Sequence, residues 1–520
     1  MPNRDVRWII HRPRMKRLRF TIVKNVIANL IRGGASAVVA LALPHFLVKS
    51  LDHDKFAAWA LMLQISAYAT YLDFGVQSAI ARFVARYMEL GDQRRRDSLI
   101  STALVFLTTA AVLAIVIFGL IAWRLPHFFP EVPAHLLTEL QHAVLIMGIG
   151  ASCLLPLSTF SGVLIGLHRN EHVALAIGGS RLLGAIIVVL AARQTTSLLV
   201  LGECIAGANL LGGAVQVLAA KRLLPSLRLR WTYVQRTTGA ELLRFCAGLT
   251  AWSISMFLVT GLDVTIVGTV DFQAVGYYSV AASLVTLFAG ANGAVCSAFM
   301  TPVAALHASG EVDRIRDLTL TITRLNTFAN LILTSGMLLF GYLFLRVWVG
   351  ESYATPAVTI VDILVVANAV RLIANPYASV LIATGQQRLG IAQGVVEGVT
   401  NLFASIVGAI WLGAVGVAWG TLVGAICGIA WTCALTVKWA SEIPLGRWSF
   451  AFEGIVKPIL CTLPITICAI TIHNRSLDRA DSVLAVIVCA GLTYLFAIKV
   501  GRIVTQSSLP KQAQTQIIKF

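Results

Sequence analysis

A chain of 520 residues that is 57% hydrophobic and only 12% charged, with a mean hydropathy of +0.81, does not have the composition of a soluble globular protein. Its formal charge of +17 is strongly basic. The lysines and arginines are scattered beside apolar runs instead of forming one stripe, which argues against nucleic acid as a partner and for membrane lipid and topology as the explanation.

The apolar residues come in runs of about 20 or more, the signature of helical spans and not of the ~10-residue alternating strands of a barrel. The pattern predicts an all-α polytopic bundle of about 14 transmembrane helices. The spans fall at 22–47, 57–81, 99–123, 138–167, 172–192, 197–219, 243–269, 275–305, 318–348, 356–384, 389–412, 414–437, 455–473 and 482–501. Several breaks are minimal, such as Leu412-Gly413-Ala414 and His168 to Glu171.

The basic start resembles a signal peptide, and "ALA" at 40–42 offers a small-residue cleavage pattern. Arg32 interrupts the apolar run, however, so an uncleaved first span is the preferred reading. Lys and Arg alternate along the breaks. One set carries clusters such as Arg94-Arg95-Arg96, Lys221-Arg222 with Arg228 and Arg230, and Lys511. The other holds only Lys49, Lys55, Arg124, Arg193, Arg346, Arg475 and Arg479. Short positive loops stay cytoplasmic, which places both termini inside a plasma (inner) membrane. The nine cysteines lie in spans or at their ends without metal-ligand spacing, so packing residues are expected, not disulfides or zinc.

Residues 68–97 can be laid on 285–317 with an offset near 219. Asp73 then meets Asn292, Ser78 meets Ser297 and Gly91 meets Gly310, while farther on Pro156 matches Pro376. The near-constant offset predicts two six-helix lobes as parallel pseudo-repeats about the membrane normal, followed by two added C-terminal helices. The expected division is a basic N-terminus 1–21, an N-lobe 22–219, a cytoplasmic linker 220–242, a C-lobe 243–437, a last helix pair with its loop at 438–501, and a tail 502–520.

"YLDFG" in the second span with "GD" and basic residues after it, "GVLIGLHRN" closing the fourth, and "LDVTIVGTVDFQAVGYYSVAASL" joining the seventh and eighth carry a family resemblance. Over roughly 20–440 the chain resembles the polysaccharide transporter, or Wzx-type, branch of the multidrug/oligosaccharidyl-lipid/polysaccharide (MOP) exporter superfamily, the superfamily that includes the MATE fold. The resemblance implies two lobes around a cavity that alternates between faces and a flippase for a polyprenyl-pyrophosphate-linked oligosaccharide in O-antigen, capsule or exopolysaccharide biosynthesis. Partners so implied are the lipid-linked oligosaccharide, membrane lipid, a polysaccharide polymerase and a chain-length regulator. Extra helices thirteen and fourteen also occur in lipid-flipping relatives, where they help to form a groove for the lipid tail.

The stretch "VVANAVRLIANPY", 365–377, is apolar enough for a bilayer yet carries Asn368, Arg371 and Asn375 at i, i+3 and i+7, one helical face. Pro376 frees a carbonyl that a polar neighbour or a cavity must satisfy. An interhelical hydrogen-bond cluster and a lumen face both fit. The lumen is preferred because an intramembrane arginine costs several kcal/mol unless paired or solvated. Asn25, Asn29 and Arg32 repeat this pattern in the first span, and Arg181 is a third mid-depth arginine. Three guanidiniums in one cavity would complement a diphosphate through forked, charge-assisted hydrogen bonds. The expected lumen set is therefore Asn29, Arg32, Arg181, Asn368, Arg371 and Asn375. Arg82, Arg86, Arg244 and Arg324 lie closer to the cytoplasmic boundary, where snorkelling explains them.

Asp73 and Glu397 lie well inside their spans, with Glu203, Asp263 and Asp362 nearer the outer boundary. Asp73 and Glu397 are candidates for ion coupling, and each is equally readable as a counter-ion to an arginine. No glycine-rich phosphate loop, metal cluster or nucleophile arrangement is present, so no cofactor, no metal and no bound ATP are expected. An oligosaccharide polymerase or ligase would need a substantial outer loop, and the longest outer break, 124–139, is short. A MATE-like drug or organic-cation antiporter fits the architecture, but mid-depth arginines oppose a cationic substrate.

Overall fold

The computed structural model describes residues 33–443 and 445–473, with Gly491. Asn29, Arg32, the expected 482–501 span, and both terminal segments fall outside the described residues, Gly491 apart. All regular structure among the described residues is helical. The helices are α1 Gly33–Ser50, α2 His53–Ala67, α3 Val76–Leu90, α4 Gln93–Phe128, α5 Ala134–Gly166, α6 Asn170–Ala191, α7 Leu198–Leu223, α8 Arg236–Met256, α9 Asp263–Val270, α10 Ala274–Ala308, α11 Val312–Val349, α12 Glu351–Ile373, α13 Asn375–Ala383 and α14 Gln387–Trp431. Two single turns, α15 Val437–Trp439 and α16 Arg447–Ser449, precede α17 Lys457–His473.

Eleven helical stretches among the described residues are long and apolar enough to cross a membrane. The 53–90 segment is a twelfth, divided by a break into α2 and α3. Gly413, at φ 58° and ψ −138°, turns the chain inside α14, so this helix is two spans and the total is thirteen. That matches the expected spans one to thirteen in order. The second span runs farther than the sequence pattern suggested, through "ARFVARYMEL" to Leu90, because one face of α3 buries Phe83, Val84 and Tyr87 while the arginines face outward.

The break in the second span is the "LDFG" stretch. A 3-10 turn over Tyr68–Asp73 leads to left-handed backbone at Phe74 (φ 50°) and Gly75 (φ 75°). A Cβ at Gly75 would collide with Leu249 of α8. The exposed Phe74 carbonyl accepts a hydrogen bond from Thr250 Oγ1 at 3.2 Å, so α8 both fills the break and satisfies it.

In the first half, α5 packs on α2, α3, α4 and α7, and α6 packs on α7; in the second, α12 packs on α10, α11 and α14. The offset found in the sequence recurs as geometry. Ser158 Oγ of α5 donates to Asp73 at 3.2 Å, and Asn375 Nδ2 donates to Asn292 at 2.7 Å, so the matched residues each bind the fourth helix of their own half. Gly91 and Gly310 both close their helices in the left-handed region, at φ 68° and 73°.

The segment between the halves is shorter than the expected 220–242, since α7 runs to Leu223 and α8 starts at Arg236. It is clamped onto α4. Arg96 is only 2% exposed and bonds Asp97 at 2.7 Å, Asp97 Oδ2 accepts from Arg228 N at 3.2 Å, and Ser98 Oγ donates to Tyr233 O at 2.8 Å. One of the three loop arginines is thus a structural clamp. Arg324 of α11 likewise meets Glu453 at 2.7 Å instead of snorkelling alone, and so ties the α17 segment to α11.

The two spans of α14 meet along glycines. Gly416, Gly420, Gly424 and Gly428 recur every fourth residue and face Gly408, Ser405, Asn401 and Glu397 on the returning span. A Cβ at Gly424 would lie 2.7 Å from Asn401 Cβ, and one at Gly420 would enter the Ser405 backbone. Small residues at this spacing let helix backbones approach within a membrane. Gly420→Leu should therefore cut the amount of detergent-stable protein several-fold by fluorescence size-exclusion chromatography, an overpacking effect of about 1–3 kcal/mol or more. Gly336→Ala, which meets open space, should leave the profile unchanged.

Candidate functional site

Two cavities lie side by side in the first half. The larger, about 420 Å³, is walled mainly by apolar residues including Leu43, Phe56, Trp59, Val264 and Ala282, and so reaches across to α9 and α10. The second, about 360 Å³, lies among α2, α3, α5, α6 and α7 and is rich in hydroxyl and amide groups. Leu63, Arg181 and Ile205 border both. The Arg181 guanidinium sits at this junction and donates to Ser36 Oγ at 2.5 Å. Its position on the border of both cavities puts a positive charge beside each, which favours an anion there.

The C-terminal cluster is built differently. Arg371, in the last turn of α12, bonds Glu397 of α14 at 2.5 Å, with side-chain exposures of 17% and 4%. Its charge also acts on buried Asp263 at the start of α9, whose carboxylate accepts from Thr421 Oγ1 at 3.3 Å. A π-helical turn over Phe257–Gly261 precedes α9, and Asn401 Nδ2 donates to the Val259 carbonyl within it at 2.7 Å. Glu397 is the carboxylate that Arg371 pairs with directly.

The carbonyl freed by Pro376 has a definite partner. A proline at 376 leaves the Leu372 carbonyl without its helical donor, and Asn326 Nδ2 of α11 donates to that oxygen at 2.7 Å. Asn326 Oδ1 accepts from Asn292 at 2.5 Å, and Asn292 Oδ1 accepts from Asn375. Asn368 is 5% exposed and borders a void of about 10 Å³ shared with Asn330, room for at most one water.

Among these cavities, Arg181 and Arg371 do not border the same one. Neither cavity at Arg181 is lined by Asn368, Arg371 or Asn375. These three residues turn to different neighbours: Arg371 to Glu397 of α14, Asn375 to Asn292 of α10, and Asn368 to the small void beside Asn330 of α11. Asp73 and Glu397 also separate: Glu397 pairs with an arginine, whereas Asp73 is held by the Ser158 hydroxyl and, at 3.4 Å, by the Gln77 amide N–H. Sequence reasoning missed Gln77, Ser158, Asn209 and Gln216 as cavity residues. The signal was the i, i+3, i+4, i+7 face Asn209, Gly212, Gly213 and Gln216 of α7.

The halves are joined where α1 and α11 end and α2 and α12 begin. His53 bonds Tyr353 Oη at 3.1 Å and the Gln273 carbonyl at 2.8 Å, Gln273 reaches Asp54 at 2.9 Å, and Trp348 Nε1 donates to Leu41 O at 2.7 Å. Glu131 accepts from Phe272 N at 3.0 Å beside them. The 124–139 break that an enzyme would have needed is largely helix, α4 running to Phe128 and α5 starting at Ala134.

The ion pair generates a prediction. Arg371→Gln leaves Glu397 buried beside Asp263 without its cation, a loss of about 3–5 kcal/mol. Membrane-inserted protein should fall several-fold by immunoblot, and Glu397→Gln in the same chain should restore most of it.

Comparisons with known proteins agree with this architecture. The lipid II flippase MurJ in an inward closed conformation superposes with a TM-score of 0.71 at 12% identity, over 93% of this chain and 100% of that one. An inward-facing MATE family multidrug resistance transporter of the MOP superfamily gives 0.62 at 15% identity over 79% and 100%, and the Vibrio cholerae MATE transporter VcmN gives 0.55 at 14% over 79% and 96%. At these identities the likeness is one of fold. No curated protein matches the chain. The family model described as polysaccharide biosynthesis protein matches residues 22–303, and this multi-pass membrane protein, with the fold of MOP-superfamily transporters, belongs to that family.

Proposed function

We propose that the chain is a flippase that moves a polyprenyl-pyrophosphate-linked oligosaccharide repeat unit across the inner membrane for assembly of O-antigen, capsule or exopolysaccharide. The observation that carries this reading is the guanidinium of Arg181 on the border of two adjoining cavities, each lined by both apolar and polar side chains, in a chain of the polysaccharide biosynthesis family. An amphiphile with an anionic centre matches such a junction. An organic cation would have to sit against a fixed positive charge, which disfavours drug antiport.

The division proposed is an N-lobe 22–219, a C-lobe 243–437 and an added pair of helices in 438–501, with both termini cytoplasmic. On that orientation the end joined by His53, Tyr353 and Gln273 is the outer one, and alternating access requires these contacts to part. Coupling is assigned to the C-lobe, where Arg371 pairs with Glu397 and its charge also acts on Asp263. A single cation balances only one of two carboxylates, so this group has a reason to take up a proton or metal cation during the cycle. Asp73, lacking an arginine among its bonded partners, is assigned a positioning role at Ser158. Arg181, with Asn29 and Arg32 of the first span, is assigned to the diphosphate, and the C-lobe residues Asn368, Arg371 and Asn375 to the coupling lobe. A polymerase and a chain-length regulator are the natural downstream partners.

Arg181→Gln should lower surface polysaccharide at least tenfold at unchanged membrane protein level, because a neutral amide loses the charge-assisted fork. Lys should restore part of it. Normal export by a stable Arg181→Gln, Arg32→Gln double variant would remove the anionic-substrate reading. Reporter fusions after Lys55 and Arg124 should report the outer side, and those after Arg96, Arg230 and Lys511 the cytoplasm; an outer signal at Lys511 would overturn the even span count.

A further inference from the structure

The hydroxyl-rich cavity has walls of unusual chemistry for the interior of a helical bundle. Ser66, Thr70, Ser158, Ser161 and Ser180 bring hydroxyls, and Gln77, Asn209 and Gln216 bring amides. Among the described residues that line it there is no carboxylate, and Arg181 at its edge is the one cation. That composition suits neither a cationic ligand nor a polyanion. Groups that both donate and accept suit a ligand that does the same, as a ring of hydroxyls does.

The hydrogen-bond pattern sharpens this. Three of the hydroxyls donate to carbonyls of their own helical turns, Ser66 to Met62, Thr70 to Ala67 and Ser180 to Ile177, while Ser158 shares its one proton between Leu155 O at 2.7 Å and Asp73 at 3.2 Å. Their lone pairs remain as acceptors. Ser161 and Gln216 bond each other across α5 and α7. The side-chain amides of Gln77 and Asn209 have no hydrogen-bonding partner among the described residues, although each is half-buried at the cavity wall. Both amides open onto the cavity instead of being sealed within the bundle, so they are available to a ligand that enters it.

The space is created by sequence features with no other evident purpose. Gly212 and Gly213 let Ser180 and Leu157 close on α7, where a Cβ would stand 2.7 Å from Ser180 Cβ or 2.6 Å from Leu157 Cδ1. This places Asn209 and Gln216, one turn on either side, at the wall. The "LDFG" break carries Gln77 to the opposite side and sets Asp73 against Ser158. The volume of about 360 Å³ lies at the lower end of ligand pockets, roughly 300–1,000 Å³, and so suits one sugar residue but not a whole repeat unit.

We propose that this pocket, walled by Gln77, Ser158, Ser161, Asn209 and Gln216, is a receptor for one neutral sugar residue of the lipid-linked head group, the residue adjoining the diphosphate at Arg181. The assignment rests on the flippase reading and adds a recognition site to it. Asn209 and Gln77 bind ring hydroxyls directly, and Asp73 acts through Ser158 by fixing its orientation.

The test uses the full-length protein in lipid nanodiscs and two probes, a polyprenyl diphosphate and the same lipid bearing a single hexose, with binding read by native mass spectrometry. Wild type should hold the glycosylated lipid more tightly. Asn209→Leu and Gln77→Leu should each reduce that preference roughly fivefold, the value of one neutral hydrogen bond, while the affinity for the bare lipid stays unchanged. Asn209→Ser, which keeps a donor and an acceptor, should recover part of the preference and guards against a folding defect, as does an unchanged elution profile. Arg181→Gln should weaken both lipids. Equal binding of the two probes by wild type, or an undiminished preference in both leucine variants, overturns the sugar pocket and leaves the flippase reading standing. Failure of wild type to bind either lipid overturns that reading and the pocket with it.

Discussion

Polar groups inside an apolar bundle have no solvent to turn to, so each break in a helix must be matched by a donor or acceptor from another helix. The Leu372 carbonyl released by Pro376 is met by Asn326, the Val259 carbonyl in the π-helical turn by Asn401, and the Phe74 carbonyl at the left-handed break by Thr250. Each match pins a broken helix to a neighbour and fixes where the remaining space lies. The break positions and the amides that serve them act as a unit: a residue with an N–H in place of Pro376 would compete with Asn326 for the Leu372 carbonyl.

The two halves spend this polar capacity differently, although they share a repeat. In the C-terminal half, asparagines 292, 326 and 375 bond one another, Arg371 bonds Glu397, and the cavity left beside Asn368 is no larger than a water. In the N-terminal half, Asp73 takes the place of Asn292 and Ser158 stands near the position of Asn375. Their contact is made at 3.2 Å without a chain of amides behind it. Room remains there, and with it hydroxyls and amides facing an open volume. Asn330 Nδ2, Arg371 Nη2 and Tyr377 Oη of the C-terminal half stay buried without a hydrogen-bond partner among the described residues, so the halves differ in open volume and not in saturation.

The glycine-to-backbone contact between the spans of α14 makes that hairpin a stiff unit, and its Glu397 and Asn401 are placed to pass a change at Asp263 or Arg371 to α9 and α12. The contacts between the halves at the His53 end are a few hydrogen bonds and tilted aromatic pairs among His53, Tyr277 and Tyr353. Beside them runs a continuous apolar contact in which Leu47, Phe56, Phe272, Trp348 and Tyr353 belong to one buried cluster, so parting the halves exposes apolar surface as well as hydrogen bonds.

Much of this was legible in the sequence because it depends on composition and period. Runs of about 20 apolar residues require helices in a bilayer, the offset of 219 between Asp73 and Asn292 required a repeat, and Pro376 required a donor for a freed carbonyl. Arginine at mid-depth required either a partner or water. Which of these it received could not be read from the chain, because Glu397 lies on another span and a hydrogen bond between helices has no signature in local spacing. The structure gave Arg371 a carboxylate and left Arg181 at a junction of cavities, two outcomes for residues that look alike in sequence. It also turned Arg96 from a topological charge into a buried clamp and made a pocket of Gln77 and Asn209, residues 132 positions apart by their numbering. Period and composition determine which residues share a helix face; the packing of one helix on another decides what that face meets, because partner choice depends on backbone approach, set here by glycines and helix breaks that bring distant segments within hydrogen-bonding range.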